Sequence, residues 1–188
     1  MRDEEILRSE ALRPLKRVEY ERLVECGSFA DERVELLRGF LVRMSPQGEP
    51  HWKSIALLNK LLVPALGDRA DVVSHSPFAA DEDSEPEPDL MVIPSIVATR
   101  GAPARALLVV EASDSSLRRD RTIKGPMYAA SKVPEYWILD LAAGEVEVCR
   151  DPGPDGYREV TRHGPDATIA LLAFPDVSVR VSAFLLRS

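Results

Sequence analysis

The sequence predicts an α/β domain built on a mixed sheet. Three observations predict it. An amphipathic helical stripe places Ile55, Leu58, Leu62 and Leu66 at spacings of three and four. Three apolar, strand-like runs follow, over residues 71–79, 89–93 and 106–112. A second helical stretch near 119–131 then leads into the apolar run 134–140. Helix, three strands, helix, strand is the order of an α/β core. The 188 residues suffice to bury a core and are expected to form a single domain, 1–188.

The elements follow in order. Residues 14–25 read as a short helix ending near Gly27. Residues 33–37 and 40–44 read as two short strands about Arg38-Gly39, an N-terminal hairpin. Ser45-Pro46-Gln47-Gly48 breaks the pattern, and the helix of residues 51–66 begins with His51 one turn before Ile55. The second helix starts at Arg119 or, if Pro126 occupies a first turn, near Lys124, because proline lacks the amide that a helix interior uses. Residues 145–150 alternate as a strand, Asp151-Pro152-Gly153-Pro154-Asp155-Gly156 is a turn, and 157–162 and 177–181 make a strand-rich C-terminal extension. A short helix over 182–186 closes the chain.

Composition narrows the function. The chain carries a formal charge of -7, which argues against strong non-specific binding to nucleic acid but leaves room for a local basic surface. The acidic run Asp81-Glu82-Asp83-Ser84-Glu85-Pro86-Glu87 reads as a solvated loop. Cys26 and Cys149 stand far apart, so neither a disulfide framework nor a thiolate zinc site is the theme. No apolar stretch is long enough for a bilayer, and the charged opening Met1-Arg2-Asp3-Glu4-Glu5 has no apolar run behind it. The cytoplasm is the expected compartment. There is no phosphate-binding glycine loop, no His-Glu-x-x-His and no serine elbow.

What remains is a pair of carboxylates. Asp89 opens Pro-Asp-Leu-Met-Val-Ile and Glu111 ends Leu-Leu-Val-Val-Glu, at the ends of two strand-like runs. Two such carboxylates can hold a hard divalent cation with positions left open for substrate. Their bland alternative is two strand ends facing solvent. Arg118, Arg119 and Arg121 follow, either as holders of DNA phosphates or as partners of the acidic run. Only five lysines occur, and Lys124 is the next one after Glu111.

These residues carry a resemblance. Arg33-Val34-Glu35-Leu36-Leu37-Arg38-Gly39, Met44-Ser45-Pro46 with His51, Glu87-Pro88-Asp89-Leu90, Val110-Glu111-Ala112-Ser113 through Asp120, Lys124 and Tyr128, and Val133-Pro134-Glu135-Tyr136-Trp137-Ile138-Leu139-Asp140 together resemble the Uma-two family of putative restriction endonucleases. The family belongs to the restriction-endonuclease-like PD-(D/E)xK superfamily, whose core is αβββαβ. The resemblance runs from about residue 14 to residue 186. It implies Asp89 and Glu111 as metal carboxylates for Mg²⁺ or Mn²⁺. The superfamily's usual lysine position is Ser113 here, and the resemblance implies that Lys124, on the following helix, takes that role. Glu35, His51, Ser113, Asp120 and Tyr128 are expected near the site. His51 otherwise caps or packs at its helix start, and Tyr136 and Trp137 read as core residues.

The expected function is metal-dependent hydrolysis of DNA phosphodiester bonds by a homodimer. The apolar stretches Phe174-Pro175 and Phe184-Leu185-Leu186 are the expected docking surface. The alternative is a catalytically silent member of the same fold, binding nucleic acid or another protein.

Overall fold

Apolar side chains alternate to both sides of the middle strands, so the sheet must be covered on both faces. The computed structural model describes residues 13–96 and 101–187, and the charged opening at 1–5 lies outside them. A short helix α1, Arg17–Glu25, precedes the hairpin of β1, Val34–Leu37, and β2, Phe40–Arg43. Its turn is Arg38-Gly39, with φ of 50° and 79°, and both central residues of a type I′ turn require positive φ. A Cβ on Gly39 would stand 2.2 Å from the Pro14 side chain, so glycine is needed there twice over.

Helix α2, Glu49–Leu66, leads into a six-stranded sheet. Its strands are β3, Asp71–Ser74; β4, Leu90–Ile93; β5, Leu108–Ser113; β6, Glu135–Asp140; β7, Glu145–Gly153; and β8, Gly156–His163. They lie in that spatial order. Only β5 and β6 run parallel, joined by a helical crossover; every other neighbouring pair is antiparallel.

One face carries Leu90, Val92, Leu108, Val110, Trp137 and Leu139, which α2 covers with Ile55, Leu58, Leu62 and Leu66. The stripe legible in sequence is therefore the packing stripe. The same core takes in a second hairpin, β9, Thr168–Ala170, with β10, Ser178–Arg180, and then Phe184. The other face carries Met91, Val109, Tyr136 and Ile138, packed against Leu37 of the hairpin and Met127 and Tyr128 of the crossover helix.

Several expectations change. Strand β3 stops at Ser74 because His75 turns the chain with φ of 49°, and Phe78 then folds into the second core. Strand β9 has no counterpart in the sequence reading, and the closing helix is a 3₁₀ turn, Val181–Ala183. The turn at 151–156 is mostly strand, since β7 runs to Gly153 and β8 starts at Gly156. The acidic run is solvated only at its start, where Asp81 and Glu82 are exposed. Ser84 and Glu85 are buried, Leu36 and Glu85 exchange backbone hydrogen bonds, and the Asp83 carbonyl accepts the Gly39 amide at 2.6 Å. The C-terminal apolar stretch is not free for docking either, because Phe184 and Leu185 are in the core.

The crossover helix resolves the question that Pro126 posed. A turn of α-helix, Leu117–Arg119, runs into a π-helical stretch, Asp120–Lys124, and then into α-helix Gly125–Ala130. These three pieces form one helix, α3. The helix starts early and passes through Pro126 by widening. Proline offers no amide to the preceding turn, and the π stretch just before it takes up the misfit.

Leu58→Ala is expected to cost about 2–5 kcal/mol in chemical denaturation, the range for emptying a buried leucine site. Phe40→Ala, at a side chain 57% exposed, is expected to stay within about 0.5 kcal/mol.

Candidate active site

The antiparallel register pairs Leu90 with Val110, so the next step sets Asp89 opposite Glu111. Residues opposite each other in such a pair share a face. That face is the one under α3. Both carboxylates line one narrow cleft of about 80 Å³, together with Glu35, His51, Arg119 and Lys124. The residues from Met44 to Gly48, which link the hairpin to α2, form one of its walls.

Asp89 is held from several directions. Its Oδ2 accepts the Ala112 amide at 2.8 Å and lies 3.1 Å from His51 Nε2. Its Oδ1 accepts Gln47 Nε2 at 3.2 Å, and His75 Nδ1 stands 3.8 Å away. His51 is thus beside the site and not merely a helix cap. Its Nδ1 is buried with no hydrogen-bond partner.

Glu111 is 4% exposed. Its Oε1 accepts Lys124 Nζ at 2.9 Å and the Tyr128 hydroxyl at 2.8 Å. Burial pushes the Glu111 carboxyl well above its ordinary range. Lys124 opposes that rise, while Asp89, Asp120 and Glu35 add to it. Lys124 is 2% exposed, and its ammonium also reaches Glu35 Oε2 at 2.9 Å. Burial alone would lower its pKa, but Glu111, Glu35 and Asp120 outweigh that and hold it above the usual lysine value. Tyr128 is raised by burial and then by Glu111, so its hydroxyl stays a donor.

Glu35 also accepts the Glu87 amide at 3.3 Å, while its Oε1 is buried without a partner. Ser113 stands in the strand position after Ala112 and donates to Asp120 Oδ2 at 2.7 Å. Ser116 donates to the same oxygen at 2.5 Å. Asp120 Oδ1 is unpartnered, and the equally unpartnered Arg119 Nε lies 3.9 Å from it. Asp120, Lys124 and Tyr128 are all buried against the sheet, so the widened helix still delivers the three on one side.

The arginines separate. Arg119 lines the cleft. Arg121 instead donates to Glu147 at 2.9 and 2.6 Å, with Asp140 3.4 Å away, and belongs to a neighbouring cleft. Arg118 is exposed and is not among the cleft residues. Gln47, His75, Glu87 and Asp114 also belong to or adjoin the site and were not singled out from sequence. The only signal for His75 was its rarity, as one of three histidines.

Among the described residues, no group of three or more His, Cys, Asp or Glu side chains forms a ready-made metal cage. The donors present are nonetheless of the hard oxygen type, and magnesium sites commonly use one or two carboxylates with water completing the shell. Burial first, and then Asp89, Asp120 and Glu35, disfavour charge on Glu111, and positive charge brought beside it would act in the opposite sense, as Lys124 does. The residues fit such an ion in chemistry.

The fold is a mixed α/β architecture whose cleft gathers buried carboxylates and a buried lysine. The backbone matches the crystal structure of a putative nuclease belonging to DUF820 from Anabaena variabilis, with a TM-score of 0.66 and 17% identity. The match covers 92% of this chain and 98% of that one. A family model described as "Putative restriction endonuclease", Uma2, matches residues 17–182, and the chain belongs to this family. No curated protein matches. No helix among the described residues is long and apolar enough to cross a membrane.

Replacing Glu111 by glutamine tests the charge balance. A carboxyl whose folded pKa is raised destabilises the fold once the unfolded chain ionises, above the ordinary value of 4.5. The parent is therefore expected to lose stability as pH rises above about 4.5, a pH-dependent loss that Glu111→Gln, which does not titrate, should not share, whatever its offset from losing the Lys124 pair. The pH-dependent part of their difference should shrink as pH falls below about 4.5. Thermal melts across pH check this.

Proposed function

We propose that this chain is a metal-dependent endonuclease that hydrolyses DNA phosphodiester bonds, working as one domain over 1–188. The observation that carries the reading is the meeting of Asp89, Glu111 and Lys124 in one cleft, delivered by β4, β5 and α3. Asp89 and Glu111 would hold Mg²⁺ or Mn²⁺. The bound ion would supply Lewis acidity toward a phosphoryl oxygen and toward water.

The protein's own groups do the rest. The Ala112 amide and Gln47 fix the Asp89 carboxylate in one orientation. Lys124, held by Glu35 and Glu111, presents positive charge where the phosphoryl oxygens gain negative charge. Arg119, with its Nε free of hydrogen bonds, is placed to take a phosphate oxygen. Water adds to phosphorus, the bond to the leaving oxygen breaks, the attacking water loses a proton and the leaving oxygen gains one. Cutting both strands of a duplex would require two clefts and hence a homodimer, whereas one strand needs only one. The cytoplasm remains the proposed compartment.

A silent relic of the fold is the second reading. Lys124 favours it in one respect, since both its contacts are to carboxylates of the protein.

Plasmid nicking with and without Mg²⁺ or Mn²⁺ decides between the two. Nicking is expected with either ion and none with Asp89→Ala. Lys124→Met is expected to lower turnover by roughly 10²–10³-fold, the scale of one preorganised stabilising group. That variant also breaks a buried pair, at about 3–5 kcal/mol, so its melting curve must show it folded at the assay temperature. Metal-independent nicking, or nicking unchanged in Asp89→Ala, would sink the proposal.

A further inference from the structure

Building on the nuclease reading, we infer that the cleft takes a strand with unstacked bases, and that Trp52 is the platform on which one base stacks. The chain has two tryptophans, and they have opposite environments. Trp137 is fully buried in the first core, whereas Trp52 is 50% exposed.

Trp52 sits in the first turn of α2, next in sequence to His51, which lines the cleft. Its amide bonds the Gly48 carbonyl at 3.3 Å, and both Gly48 and its neighbour His51 line the cleft. Two turns along the same side of the helix, Asn59 donates to Ser74 at 3.1 Å. Ser74 precedes His75, whose ring approaches Asp89. By helical position Trp52 shares the flank of α2 with Asn59, whose partner Ser74 adjoins His75 at the Asp89 end of the cleft. Lys53 Nζ lies 5.7 Å from the Trp52 ring centroid and is paired with Glu49.

Charge argues for bases over backbone. The cleft is lined by Glu35, Glu87, Asp89, Glu111 and Asp114, but by only two cations, Arg119 and Lys124. Lys124 is already held by two carboxylates. Nearby cations are engaged too, Arg33 with Glu87 and Arg121 with Glu147. Duplex binding rests on neutralising many phosphates, and this cleft has little to offer for that. Stacking on an aromatic ring needs no charge and suits any base that is free of a duplex.

The test uses the full chain without added metal. Oligothymidylate of about 12 nucleotides, on the scale of the ~4–16 nucleotides that a single-strand-binding OB fold covers, is titrated while tryptophan emission is followed. A hairpin duplex is titrated in parallel. The single strand is expected to quench the Trp52 component and leave the buried Trp137 emission in place. Labelled-oligonucleotide anisotropy should show Trp52→Ala weakening binding by roughly 5–150-fold, the worth of one stacked base, and Trp52→Phe restoring most of it.

Equal binding of duplex and single strand, or unchanged affinity in Trp52→Ala, overturns the inference. The two readings fail separately. Metal-dependent cleavage of single-stranded DNA that is indifferent to Trp52→Ala would leave the nuclease and remove the platform. Single-strand affinity weakened in Trp52→Ala by anisotropy, with no cleavage under any divalent ion, would keep the platform and remove the nuclease.

Discussion

One buried ammonium ties this molecule together. Lys124 Nζ reaches Glu35 and Glu111, both at 2.9 Å, with almost no exposure to water. Removing such a charge from water costs several kcal/mol, and only well-placed counter-charges offset it. The counter-charges come from different elements: Glu35 from the hairpin and Glu111 from the central strand β5. The lysine comes from the crossover helix. A shift of any of these elements would leave an uncompensated charge indoors, so the hairpin, the sheet and α3 are locked in register at the point where the cleft forms.

The backbone around the lysine follows from the same demand. Asp120 and Lys124 bound the π stretch, and both point to the sheet. Widening admits Pro126 without breaking the helix. Gly125 fits because a Cβ there would lie 3.3 Å from the Asp120 carbonyl, tighter than most side chains tolerate. The acidic run serves the hairpin in a similar way. Its backbone bonds β1 at Glu85, and the Glu87 amide reaches Glu35 itself. Burial, then Glu21, pushes the Glu85 carboxyl up to about 7, as expected of an acid drawn inward by its backbone.

What could be read in the sequence was what periodicity and local chemistry encode. The α2 stripe, the Arg38-Gly39 turn and the apolar runs around Asp89 and Glu111 all appear as patterns of neighbouring residues. The pairing of Asp89 with Glu111 needs only that their strands be antiparallel neighbours. Lys124 stood out because Ser113 occupies the usual lysine position and lysines are few. The rest depends on contacts between distant segments. Nothing local to Gln47 or His75 says that each reaches Asp89. The arginines near Lys124 look alike in sequence, yet the helix turns Arg119 to the cleft and Arg121 to Glu147. Charge suggested that residues 81–87 were solvated, but beyond Glu82 strand-like backbone bonding to the hairpin overrode it. Phe184 looked like spare surface until the tail folded back, with the Leu186 amide donating to Ser54 at 2.9 Å.

The polar atoms without partners sharpen this view of the cleft. Native interiors satisfy nearly all buried polar groups, so each exception calls for a cause. Among the described residues six such atoms occur: Glu35 Oε1, His51 Nδ1, Asp120 Oδ1 and Arg119 Nε belong to the cleft or to the Asp120 cluster beside it, while Glu85 Oε2 lies in the acidic run and Trp137 Nε1 in the core. Elsewhere the protein spends hydrogen bonds freely on structure, as where Glu135 takes Arg150 and the Leu172 amide. The contrast is between acids closed by internal partners and acids left with spare acceptor capacity. Desolvating a carboxylate oxygen and leaving it unpaired costs stability. Most of this cost falls around Asp89, Glu111 and Lys124, which is what the proposed site requires if its polar groups are to meet a partner from outside.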